Sequence, residues 1–126
     1  MADELPLYES PEDAPRPARP PSDARVERYR VMPWPDGSRV TVELTFSAFK
    51  EFPSIDISIV NVAGEVVRQT SIVSSMERQP APTMWLPRIA RGTPMLALVE
   101  ILGDPEPLQS ISVPFEVGGP IIKQAV

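Results

Sequence analysis

The stretch Ser54-Ile-Asp-Ile-Ser-Ile-Val-Asn-Val-Ala-Gly-Glu-Val-Val-Arg-Gln-Thr-Ser-Ile-Val73 decides how the chain is read, because it alternates at the period of a strand and then reverses. Ile55, Ile57 and Ile59 fall on one face, and Asp56 and Ser58 fall on the other. Residues 61–64 supply the turn. Gly64 takes positive φ with no Cβ to clash, while Asn61 tolerates unusual backbone angles and bonds its own main chain. Beyond the turn, Val66, Val67, Thr70, Ile72 and Val73 are the β-branched residues of a returning strand. A lone hairpin is marginal in water, so this one requires further strands to pack against.

Working outward toward the N-terminus, residues 39–47 alternate most cleanly, with Val40, Val42, Leu44 and Phe46 opposite Thr41, Glu43, Thr45 and Ser47. One face is core and the other is wet. Pro35-Asp36-Gly37-Ser38 reads as a turn, and residues 25–32 as an edge strand that tolerates charge and the prolines that follow it. Toward the C-terminus, residues 74–82 read as a polar loop broken by Pro80 and Pro82, and residues 83–88 as a short strand with Met84 and Leu86 opposite Trp85. Residues 95–102 are apolar on both faces except at Glu100, between Gly92-Thr93-Pro94 and Gly103-Asp104-Pro105. Length alone permits a helix there, but the breakers on both sides and the β neighbours favour a central strand. In residues 109–117, Ile111, Val113, Phe115 and Val117 alternate with polar residues, and Pro114 demands an edge or a bulge.

Composition supports the same class. Seventeen prolines in 126 residues far exceed the usual share of about 5% and argue against long helices. Many lie in residues 1–24, which read as a disordered, acidic, proline-rich leader: few large apolar groups and many charges do not offset the entropy of ordering. The domain organisation expected is therefore a leader over residues 1–24, a sandwich over residues 25–118 and a short apolar tail over residues 119–126. The fold class expected is all-β, an antiparallel β-sandwich of about seven strands.

The chain contains no Cys and no His. Thiol nucleophiles, disulfides, zinc sites with N or S ligands and every imidazole-based mechanism are thereby excluded. A net charge of −5 argues against non-specific nucleic-acid binding, whose affinity comes from neutralising phosphates. No apolar run approaches the ~20 residues that span a bilayer, and the acidic, proline-broken start is unlike a signal peptide, so the expected location is cytoplasmic. Asp36, Asp104 and Glu106 sit in turns where acidic residues are ordinary turn chemistry, and no calcium-loop spacing accompanies them. No cofactor, metal or catalytic residue is expected, and the protein is not read as an enzyme.

The strand rhythm over residues 25–117, the hairpin turn at residues 61–64 and the succession Leu86, Gly92, Leu98 resemble immunoglobulin-like and fibronectin type III-like sandwiches as a class. The antibody hallmark cysteines are missing, and Met95 stands where many relatives carry a tyrosine. No functional residue follows from the resemblance.

The function expected is a non-enzymatic protein-interaction or accessory module that binds a protein partner, or a second copy of itself, through an apolar sheet face or an edge strand. The candidate contact residues are Leu5, Leu7 and Tyr8 in the leader, Trp34 between two prolines, Leu96, Leu98 and Leu102 on the two-sided apolar strand, and Ile121 and Ile122 in the tail. The last two are also candidates to cover that strand. The alternative is a small-ligand or carbohydrate-binding sandwich that uses an exposed tryptophan. For Trp85 the expected place is the core or its edge.

Overall fold

The computed structural model describes residues 23–103 and 105–126, and these contain eight strands and no helix. The strands are β1 (Val26–Pro33), β2 (Arg39–Phe46), β3 (Ile55–Val60), β4 (Val66–Ile72), β5 (Thr83–Trp85), β6 (Pro94–Ile101), β7 (Gln109–Glu116) and β8 (Ile122–Ala125). They form two antiparallel four-stranded sheets, β5-β2-β1-β8 and β4-β3-β6-β7, packed as a β-sandwich. Here they are termed sheet A and sheet B. No helix among the described residues is long and apolar enough to cross a membrane.

Alternation builds the core. Val40, Val42, Leu44 and Phe46 of β2 are fully buried and face Ile55, Ile57 and Ile59 of β3, while Met95, Ala97, Val99 and Ile101 of β6 line the same layer. Burying each large aliphatic side chain contributes about 1.5–3 kcal/mol, so this layer dominates the favourable side of folding. The hairpin read from residues 54–73 is present, with Ile57 opposite Thr70 and a bulge between Ile59 and Val60. Gly64 has φ +83°, and Asn61 Oδ1 accepts from the N–H groups of Ala63 and Glu65 at 3.0 and 2.9 Å, so the two residues act as the sequence indicated. The apolar run at residues 95–102 is strand β6, held between β3 and β7. Pro114 lies on β7, at the edge of sheet B, where a missing N–H is tolerated.

The structure departs from the sequence reading at several places. Residues 1–22 of the expected leader lie outside the described residues, but its last two residues belong to the domain. Ala24 is fully buried, and the Asp23 carboxylate accepts from the N–H groups of Lys50 and Glu51 at 3.0 and 3.1 Å. Residues 74–82 are also more than a loop. The carbonyls of Pro82, Pro80 and Arg78 accept from the N–H groups of Val42, Leu44 and Phe46 at 3.0, 3.0 and 2.8 Å, extending β5 along β2. The prolines have no N–H to return, so the ladder is one-sided there.

The third departure is the eighth strand. Residues 119–126 are not simply a tail, because β8 pairs with β1, placing Ile122 opposite Val31 and Lys123 opposite Arg30, and β1 is thereby an interior strand and not the edge expected for residues 25–32. Gly118, at φ +69°, turns the chain back toward sheet A.

Candidate binding surface

On β2 the outward positions are Arg39, Thr41, Glu43 and Thr45, since their neighbours fill the core. Arg39 lies opposite Trp85 on β5, and Trp34 arrives beside it from the turn after β1. The guanidinium carbon sits 3.6 Å from the Trp85 ring centroid and 4.2 Å from that of Trp34. Each cation–π contact is worth about 0.5–1 kcal/mol at an exposed site and more where water is excluded.

Local hydrogen bonds fix this group. Trp34 N–H donates to the Arg39 carbonyl at 2.9 Å, Gly37 N–H donates to the Trp34 carbonyl at 2.8 Å, and Gly37 has φ +77°. Asp36 Oδ1 accepts from Ser38 N–H at 2.9 Å and Ser38 Oγ at 2.7 Å, and these two bonds hold its carboxyl below the ordinary value. The Trp34 indole N–H donates to Thr41 Oγ1 at 3.1 Å, and Thr41 shares a 2.7 Å hydroxyl contact with Thr83. Arg68 Nε donates to the Trp85 carbonyl at 2.9 Å and ties β4 to this corner. Arg39 Nε is itself buried without a hydrogen-bond partner, and no carboxylate among the described residues forms an ion pair with Arg39. The result is a cation held in place, without a direct ion pair but within the field of the Asp36 carboxylate, which its charge also helps to lower.

Farther along the same face lies a depression of about 440 Å³ lined by Arg28, Arg30, Glu43, Gln79, Lys123 and Gln124. Arg30 Nη1 meets Glu43 Oε1 at 3.4 Å, and Tyr29 OH donates to Gln124 Oε1 at 3.0 Å. The outer face of sheet A thus carries Arg28, Arg30, Arg39 and Lys123, with Glu43 among them, Glu27 in the β1 bulge and Glu77 beside Thr45.

The residues expected to make contacts are not brought together. Leu5, Leu7 and Tyr8 lie outside the described residues. Trp34, 36% exposed, is in the cluster just described. Leu96 and Leu98 are half-buried on the outer face of β6, in the other sheet, and Leu102 follows that strand. Ile121 and Ile122 do not cover them. Ile122 belongs to β8 and packs against the core, so both residues sit at the edge of sheet A.

Trp85 corrects its expectation as well: it is 59% exposed, whereas Met84 and Leu86 on either side are buried. Alternation across residues 84–86 already carried that signal. The sequence reading also passed over Arg39, Arg28, Arg30 and Lys123, because their common face exists only once β1, β2, β5 and β8 are aligned. No family model matches the chain, and no curated protein is found similar to it.

Proposed function

We propose that the chain is a non-enzymatic protein-interaction module that recognises its partner through the outer face of sheet A. One observation carries the reading. Two exposed tryptophans clamp an arginine, and Trp and Arg are residue types that dominate binding energy where proteins meet. A guanidinium already fixed between rings loses little freedom on binding, and it holds both rings in place for a partner to pack against.

A sheet face is favoured over an edge strand. β7 carries Pro114, which withholds a donor from an incoming strand, and the tryptophan–arginine cluster lies on a sheet face. The two four-stranded sheets and the strand rhythm also support the immunoglobulin-like reading of the fold, a class whose members commonly serve as binding modules.

The test is capture from a native lysate with the intact chain and with Arg39→Ala and Trp85→Ala variants, eluates being identified by mass spectrometry. A partner retained by the parent and lost by both folded variants supports the reading. A partner held equally by all three contradicts it. A second reading, stacking of a sugar ring on Trp85, is favoured by that ring's exposure. It predicts quenching of tryptophan emission by a glycan, and an unchanged spectrum across a broad glycan panel would remove it.

A further inference from the structure

The two outer faces of the sandwich differ in charge. Sheet A presents the cations Arg28, Arg30, Arg39 and Lys123 interspersed with Glu43, the bulge residue Glu27 and Glu77 beside Thr45, whereas the outward positions of sheet B hold Asp56, Glu100 and Glu116 and no Lys or Arg among the described residues. Each face also contains a like-charged pair directly across two strands. Arg30 lies opposite Lys123 in sheet A, and Asp56 lies opposite Glu100 in sheet B. Like charges so placed destabilise an isolated sheet; Glu43, 3.4 Å from Arg30, offsets part of this on sheet A, and the acidic pair of another copy would offset the rest.

Apolar groups follow the same plan. On sheet A the Trp34–Arg39–Trp85 cluster lies four residues along β2 from Glu43, which is level with the Arg30–Lys123 pair. On sheet B, Leu96 lies four residues along β6 from Glu100, with Leu98 between them. At a rise of about 3.3 Å per residue, both separations are about 13 Å. A basic pair and an aromatic cluster on one face therefore stand at the same spacing as an acidic pair and a leucine pair on the other.

We infer that the partner of the sheet A face is the sheet B face of a second copy of this chain, giving head-to-tail association. Different patches meet, so the contact is heterologous, and each bound copy leaves one face of either kind free for the next. This deepens the protein-interaction reading and rests on it.

The experiment is sedimentation velocity on the full chain over a range of concentrations. It uses the parent, a variant with a neutralised basic face (Arg28→Gln, Arg30→Gln, Lys123→Gln) and a variant with a neutralised acidic face (Asp56→Asn, Glu100→Gln, Glu116→Gln), each checked for parental circular dichroism. At low salt the parent grows beyond a dimer as concentration rises, and it reverts to monomer near 1 M salt, where the screening length is about 3 Å. Each variant alone stays monomeric. Their equimolar mixture forms a heterodimer and nothing larger, because it offers one intact basic face and one intact acidic face.

A parent that stays monomeric at low salt overturns the inference. So does a neutralised variant that still self-associates, or a mixture that stays monomeric. These failures leave the capture experiment to decide the broader reading by itself, since a foreign partner lost by Arg39→Ala and Trp85→Ala would still support it.

Discussion

Arg39 spans the gap between two indole rings at 3.6 and 4.2 Å, and its removal would leave both rings without their shared cation. Arg39→Ala should lower stability by about 1 kcal/mol and shift the tryptophan emission, measured by urea unfolding and steady-state fluorescence. Gly118 is constrained differently. At φ +69° its added Cβ would lie 3.0 Å from Arg91 Nε and 3.3 Å from the Pro35 carbonyl, so Gly118→Ala should cost about 1–3 kcal/mol by the same unfolding assay. Asp23 gives a pH-dependent counterpart. Hydrogen bonds from the N–H groups of Glu51 and Lys50 hold its carboxyl below the ordinary value of 3.8. A depressed carboxyl contributes stability that is present above the unfolded value and is lost as pH falls through the folded one. Asp23→Asn should therefore flatten the acid limb of stability against pH, read as urea midpoints between about pH 6 and pH 3. At this scale Trp34 was legible because prolines flank it. Trp85 is the exception: a tryptophan in a sandwich of this size is expected in the core or at its edge, although the positions of Met84 and Leu86 already point it outward.

Strands with a long, regular period were legible from their own residues. β2 and β3 each alternate over several positions, and β6 is bounded by glycine and proline on both sides, so local pattern sufficed. β8 was not legible. It has four residues and one core-directed side chain, Ile122, and its existence depends on β1, which is distant in sequence. Residues 78–82 were hidden for another reason, since their prolines suggest a loop although their carbonyls complete the β2 ladder. The β8 pairing makes a direct prediction. Deleting residues 121–126 should lower stability by about 2 kcal/mol or more, from the lost Ile122 burial and several backbone hydrogen bonds, and the deleted chain should melt earlier in a circular dichroism scan. An unchanged melting temperature would show that β8 contributes nothing to the fold.

For the whole molecule, the number of layers and the antiparallel pairing followed from strand rhythm, but the charge on each face did not. Arg30 and Lys123 are far apart in the chain, as are Asp56 and Glu100, and only strand order brings each pair onto one face. The same order separates Leu96 and Leu98 from Ile122 by placing them in different sheets. A net charge of −5 likewise concealed a basic face, because a sum over the sequence contains no direction. Head-to-tail association is read out by a nuclear magnetic resonance dilution series at low salt, following the indole N–H signals of Trp34 and Trp85 together with the methyl signals of Leu96 and Leu98. All four residues should shift together as concentration rises, and the shifts should disappear in high salt. Signals that stay fixed across the series, or indoles that move while the leucines do not, would contradict that association.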